Sequence, residues 1–195
     1  MLRQGLAGLS TLIILSGSVA LADAPASVPV VTSSALGFGI DVPWSKPVRV
    51  VDPFDGEFLA VFDRNYFRSR QLADHVGVIS LWSQKSVRVL VATSDRSCTY
   101  GLGLGIGLFG GTVGTACVQS TDSKVLTELQ VKIRDQVFRA LAQDGAFPVS
   151  SELAKALQSA PDGNVSIRLS TKSGETIDSE IGKDTVKAWR TVYAS

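Results

Sequence analysis

The sequence has few of the residues that build catalytic or metal centres. Its 195 residues include one histidine, two cysteines and one methionine. A zinc site takes its ligands from cysteine, histidine and carboxylate side chains, so a site here would need several carboxylates. The G-x-S-x-G sequence that marks many serine hydrolases is also missing. We therefore expect no metal and no cofactor, and we favour a protein without catalytic activity.

An excess of charge of one sign is also absent. The chain carries 19 basic and 18 acidic residues, a formal net charge of +1. Nucleic-acid-binding proteins show a basic excess that neutralises phosphates, so we expect no nucleic-acid partner. The acidic residues that do cluster, Asp52, Asp55 and Glu57, do not have the spacing of a calcium-binding EF-hand loop. We interpret them as a solvated turn and expect a protein as the partner.

The first 22 residues have the pattern of a secretory signal peptide. Arg3 precedes a long uncharged stretch, and Ala20 and Ala22 place small residues where signal peptidase reads them. We predict cleavage before Asp23 and export to the periplasm or the medium. An uncleaved membrane anchor is the alternative, but residues 6–22 are at the short limit for a helix that crosses a bilayer.

Both cysteines, Cys98 and Cys117, belong to the exported part of the chain. An even number of cysteines in an oxidising compartment predicts a disulfide between them. Two separate buried thiols are the alternative.

The hydrophobic pattern predicts strands in the first half of the exported chain. Residues 23–47 contain four prolines and are expected to form an extended lead-in with at most a short edge strand. Residues 48–195 are expected to form one domain. Runs rich in strand-forming residues predict two hairpins, from 48–51 with 57–62 and from 76–82 with 87–92. Residues 63–74 are expected to be a short helix or an ordered loop.

The second half of the chain predicts helices. Residues 123–143 have apolar side chains three and four positions apart, the spacing of a helix with one buried face: Val125, Leu126, Leu129, Ile133, Val137, Phe138 and Leu141. A short helix after Ser150, a strand over 165–170 and a C-terminal helix over 185–193 are also predicted. The expected fold class is α+β, an antiparallel sheet of the N-terminal and central strands with C-terminal helices packed on it.

Residues 97–121 form an uncharged segment with seven glycines between positions 101 and 114. Glycine alternates with apolar residues there, which favours a hairpin with one bare and one apolar face. A turn centred on Gly107 and Leu108 would place Cys98 opposite Cys117. The apolar side chains are the candidate contact surface: Leu102, Leu104, Ile106, Leu108 and Phe109.

Two other structures fit parts of this segment. A transmembrane helix fits its length, but helical rise would hold the two cysteines about 28 Å apart. A disulfide needs α-carbons within about 7 Å, so the bridge and the helix exclude each other. Residues 105–110 also match the phosphate-binding G-x-G-x-x-G sequence, but the strand and helix that should flank that motif are missing.

Three functions follow from these observations. The favoured one is an exported, non-catalytic binding or structural protein that acts through protein contacts at the glycine-rich hairpin or the sheet edge. The second is a secreted hydrolase that uses carboxylates or the pair Asp74 and His75, although neighbouring residues of a strand point to opposite faces. The third is a membrane-associated protein that inserts residues 97–121.

Overall fold

The protein is mostly β in the residues that the structure, a computed structural model, describes: 28–69, 73–100 and 115–194. The described residues contain eleven strands and two short helices. The elements follow in the order β1 (Val30–Val31), β2 (Pro47–Asp52), β3 (Gly56–Ser69), β4 (Ala73–Ser83), β5 (Ser86–Tyr100), β6 (Thr115–Ser123), β7 (Leu126–Ile133), β8 (Gln136–Leu141), β9 (Phe147–Pro148), α1 (Ser151–Gln158), β10 (Val165–Thr171), β11 (Thr176–Ile181) and α2 (Lys183–Val192).

The strands form two sheets, which corrects the α+β class expected from the sequence. The larger sheet has the order β1-β2-β3-β4-β5-β6, and β9 also pairs with β5. All its pairings are antiparallel except that of β1 with β2. The smaller sheet is antiparallel in the order β11-β10-β7-β8. The fold is therefore mostly sheet, with two short helices, and is not a sheet covered by C-terminal helices.

The strand predictions for the first half are confirmed. Strands β2 and β3 form the first hairpin, and β4 and β5 form the second, with Trp82 opposite Val87. The helix or loop expected over 63–74 is wrong, because β3 continues to Ser69 and β4 begins at Ala73. Strand β1 is the short edge strand expected in the lead-in.

The long helix predicted over residues 123–143 is wrong. Residues 126–141 form the hairpin β7–β8, in which Ile133 lies opposite Gln136 across a two-residue turn. Leu129, Val131 and Ile133 are buried at every second position of β7. This alternation places them all on one sheet face. Several apolar positions in residues 123–143 fit both helical spacing and strand alternation, so the sequence pattern favoured a helix where the structure has a hairpin.

The main core lies between the two sheets and the helices. It joins inward residues of both sheets to Leu153 and Leu157 of α1 and to one face of α2. Trp82 of β4 and Trp189 of α2 are fully buried at its centre, with ring centroids 4.7 Å apart. Helix α1 begins after Ser150, whose side chain accepts a hydrogen bond from the Leu153 amide, so the predicted short helix and the C-terminal helix are both confirmed.

The opposite face of the larger sheet is covered in part by the N-terminal segment, residues 30–44. A second cluster of buried side chains there is formed by Val48, Val50, Ala60, Phe62 and Leu81. Hydrogen bonds fix the segment: Arg88 donates to the Ser34 carbonyl, and Ser34 Oγ donates to Asp52 Oδ2 at 2.6 Å. The face beyond this cover, towards the C-terminal end of β3, carries exposed side chains.

Candidate functional site

Strands β5 and β6 continue beyond the pairing of β5 with β4. Strand β4 pairs with β5 as far as Ser94, whereas β6 pairs with residues 92–100. In the described part of the chain, β5 therefore ends as one arm of a two-stranded ribbon. Residues 101–114, which include the candidate contact residues Leu102, Leu104, Ile106, Leu108 and Phe109, lie outside the described residues.

The register of this ribbon places Cys98 directly opposite Cys117, as the predicted hairpin requires. Opposed residues of an antiparallel pair have α-carbons about 4.5–5.5 Å apart. Disulfides have α-carbons about 4.4–6.8 Å apart. The backbone is therefore compatible with the bridge, and the bridge itself stays a prediction.

We expect the purified exported protein to migrate faster on a denaturing gel without reductant than with it, because the bridge closes a loop in the unfolded chain. Alkylation in denaturant without reductant should leave both cysteines unmodified, as mass spectrometry would show. A Cys98→Ser variant is the control and should migrate alike under both conditions. Modification of both thiols in the untreated wild type would exclude the bridge.

The strands at the two ends of residues 97–121 also bear on the membrane hypothesis. Residues 97–100 and 115–121 are paired strands, so one helix does not run through the whole segment. Over the described ranges, no helix has the length and hydrophobicity needed to span a bilayer.

An aromatic–arginine patch, formed by Phe38, Trp44, Arg64 and Tyr66, lies on the larger sheet beside the N-terminal segment. Phe38 and Tyr66 are 42% and 56% exposed, although both are large aromatic side chains. Their ring centroids are 6.2 Å apart. Tyr66 lies on β3 opposite Gly77 of β4, in the middle of a sheet, so its position is set by strand pairing.

Gly77 allows the two rings to lie close to the backbone of β4. A β-carbon at this position would lie 2.3 Å from Cε1 of Phe38 and 3.1 Å from Cε1 of Tyr66. A glycine within a strand often marks such a close approach. Tyr66 is thus placed by strand pairing, and the N-terminal segment lays Phe38 beside it over Gly77.

Arg64 adds a positive charge to the patch, and no ion pair with another described residue neutralises it. Its guanidinium carbon lies 4.7 Å from the ring centroid of Trp44, a cation–π contact. Of the hydrogen bonds among the described residues, none is donated by the Arg64 side chain, which is exposed. A guanidinium has five N–H donors in a fixed planar arrangement, so the stacked side chain presents them to a carboxylate from outside.

An acidic turn, residues 52–57, lies at the opposite end of β3. Asp52 Oδ1 accepts hydrogen bonds from the amides of Phe54 and Asp55 at 2.9 and 3.1 Å. These bonds and the Ser34 hydroxyl lower the pKa of Asp52, with Ser34 as the largest cause. Phe54 is 96% exposed on this ordered turn. Glu57 pairs with Arg49 at 3.0 Å, while Asp55 has no side-chain partner in the described residues.

The pair considered for catalysis lies in strand β4, where consecutive positions belong to opposite faces. His75 is exposed and lies opposite Ser94. The hydrolase hypothesis for Asp74 and His75 stays a prediction. Among the described residues, no three histidine, cysteine, aspartate or glutamate side chains are grouped to hold a metal ion.

An open cleft of about 720 Å³ lies against the smaller sheet and is lined by Gln130, Lys132, Ser166, Arg168, Asp178 and Glu180. Arg168 binds Asp178 through two hydrogen bonds of 2.6 and 3.0 Å. Asn164 donates to Glu180 at 3.1 Å. Because most of its charged groups already pair with neighbours, we interpret the cleft as a solvated sheet face.

Asp63 is the one carboxylate of β3 that is buried among the described residues of that strand. Its Oδ1 accepts a hydrogen bond from Thr185 Oγ1 at 2.5 Å. Burial raises the pKa of Asp63, and the hydrogen bond from Thr185 opposes that rise. Gly182 caps α2 without a side chain of its own. Asp63 therefore links β3 to the first turn of α2, a structural role.

No family model, no curated protein and no solved structure gives a significant match to this chain. The aromatic–arginine patch and the acidic turn were not predicted as sites from the sequence. Gly77 within a run of strand-forming residues was the sequence signal for the patch. Phe54 within an acidic cluster was the signal for the turn.

Proposed function

We propose that the protein is an exported, non-catalytic binding protein that holds a partner protein at the aromatic–arginine patch. The observation that supports this most is the exposure of Phe38 and Tyr66 on a sheet, beside an arginine with free donors. In this proposal, the glycine-rich sequence between β5 and β6 adds a second contact.

The composition of the patch supports protein binding. Tyrosine, tryptophan and arginine are enriched among the residues that contribute most to protein–protein affinity. Tyr66 is held by β3 and by the contact with Phe38, so little side-chain freedom remains to be lost on binding. Arg64 is held over Trp44 in the same way.

Export is the other half of the proposal, and it rests on residues 1–22. The backbone register of Cys98 and Cys117 supports it indirectly, since a bridge between opposed strands would form in an oxidising compartment. Such a bridge would fix the base of the ribbon outside the cell, where unfolding and proteolysis are the main risks.

The proposal predicts that substitution in the patch abolishes capture of the partner. A photo-crosslinking amino acid at Tyr66 in the exported protein should give a cross-linked product of defined mass. Adding Arg64→Gln should reduce its yield at least tenfold, because the free guanidinium donors are lost. The same crosslinker at Leu141, which is 67% exposed on β8, is the matched control and should give no such product.

Equal product from positions 66 and 141 would show that the patch is not the binding surface. The contribution of the glycine-rich segment is tested in the same assay with Leu104→Asp and Ile106→Asp. If these substitutions leave the yield unchanged, the second contact is removed from the proposal.

A further inference from the structure

We infer that the partner seated on the aromatic–arginine patch is a second copy of this chain, which inserts its acidic turn. This inference rests on the proposed function, because it names the partner of the same surface. The two surfaces are complementary in chemistry: the turn offers an exposed phenylalanine next to an unpaired carboxylate, and the patch offers two exposed rings next to unpaired guanidinium donors.

The spacing of the two surfaces also matches. Phe54 and Asp55 are neighbours in sequence, so their side chains leave the chain a few ångströms apart. Tyr66 and Arg64 lie two residues apart on one face of β3, about 6.6 Å along the strand. The Phe54 ring can therefore contact Phe38 and Tyr66 while the Asp55 carboxylate reaches Arg64. A carboxylate held by a guanidinium in this way forms a charge-assisted hydrogen bond.

The fold prevents a molecule from satisfying its own patch. The turn precedes β3 at Gly56, and Tyr66 lies ten residues further along the same strand, a separation of about 33 Å. The contact is therefore between molecules and runs from the head of one to the tail of the next. Two copies that lie antiparallel can exchange both contacts and close as a dimer, whereas any other arrangement leaves a free turn and a free patch and propagates into a larger ring or a filament.

Both surfaces are held in the form that the contact needs. The acidic turn is ordered by the two amide bonds to Asp52 and by the Ser34 bond. The pairing of Glu57 with Arg49 leaves Asp55 as the free carboxylate beside Phe54. Since the contact is small, we expect association in the micromolar range or weaker.

Sedimentation velocity on the purified protein tests this inference. The wild type should show an average mass that increases with concentration up to about 100 μM, to the dimer mass for a closed pair and beyond it for a larger ring or a filament. A turn variant, Phe54→Ser with Asp55→Asn, and a patch variant, Tyr66→Ser with Arg64→Gln, should each remain monomeric. An equimolar mixture of the two should form a heterodimer and nothing larger, because only one intact turn and one intact patch remain.

A pair of charge-exchange variants is the control for misfolding of either double variant. Asp55→Arg and Arg64→Glu should each weaken self-association at least tenfold, and mixing them should restore a one-to-one complex. Thermal unfolding of each variant checks its fold. A turn variant that still self-associates, or a mixture that stays monomeric, would overturn the inference.

The crosslinking experiment separates this inference from the proposed function. If the wild type stays monomeric while the crosslinker at position 66 captures a different protein, the second copy is excluded and the binding function stands. If the product at position 66 has twice the mass of the chain and Asp55→Arg removes it, both stand. If position 66 gives no product, both fall.

Discussion

Replacing Trp189 with alanine is expected to lower the free energy of unfolding by about 3–5 kcal/mol, the range for a large aromatic side chain removed from a core. Trp189 has no exposed surface and packs against Trp82 in the main core, with ring centroids 4.7 Å apart and the rings tilted by 51°. Its loss leaves a cavity among residues held by two sheets and a helix. These elements cannot collapse into the space without breaking strand pairing, so the expected cost is near the upper end.

Urea unfolding followed by circular dichroism measures this change. Trp189→Phe should cost less than alanine, because it keeps most of the apolar contact and removes an indole N–H that is buried without a hydrogen-bond partner in the described structure. Phe54→Ala is the matched control, since that side chain is 96% exposed, and it should change the stability by less than about 0.5 kcal/mol. Equal effects at 189 and 54 would contradict the assigned core.

The two hairpins in the first half of the fold were predictable because the local sequence of each strand and turn is typical of that structure. The link between Trp82 and Val87 is short and polar, and the runs on either side are rich in β-branched residues. Strand alternation and turn chemistry point to the same structure there, so the local pattern was sufficient. The backbone register of Cys98 and Cys117 followed from the symmetry of the glycine-rich segment about one turn.

The hairpin β7–β8 shows where local patterns fail. Its turn consists of Arg134 and Asp135, neither of which is a glycine, and Arg134 adopts a φ of 55° that arginine rarely takes. In the sequence, the charged pair Arg134 and Asp135 therefore fits the solvent-exposed face of a helix over residues 123–143. The packing of Leu129, Val131 and Ile133 into the main core overrides that local preference. Sequence periodicity alone does not contain this tertiary contribution.

The candidate site was not predictable for a similar reason. Phe38 and Tyr66 are distant in sequence and come together only because the N-terminal segment folds back over the larger sheet. Proline content suggested an extended lead-in, but it did not show which face of the sheet that segment covers. The sequence predicted the turn at residues 52–57. It did not predict the exposure of Phe54, because that depends on which other parts of the fold pack against the turn.

Replacing Asp63 with alanine is expected to lower the free energy of unfolding by about 1–3 kcal/mol, because a buried donor loses its acceptor. This donor is the Thr185 hydroxyl at the start of α2. Since Thr185 donates its single hydroxyl proton to Asp63, the Ser45 hydroxyl, 2.9 Å from Thr185 Oγ1, donates to Thr185 in turn. The loss therefore loosens α2, β3 and the N-terminal segment together. Asp63→Asn keeps an acceptor oxygen and should cost less.

The pH dependence gives this prediction its sharper test, because burial raises the pKa of Asp63 above its usual value of 3.8. Between 3.8 and the raised pKa, the unfolded chain releases the proton and the folded chain retains it. Raising the pH across that window therefore lowers the free energy of unfolding of the wild type. The difference in unfolding free energy between wild type and Asp63→Asn should be constant below 3.8, fall through the window and become constant above it. Taking the difference cancels the other carboxylates, which are common to both proteins. A difference that rises with pH would show that the hydrogen bond from Thr185 outweighs burial, and that Asp63 is held as a carboxylate.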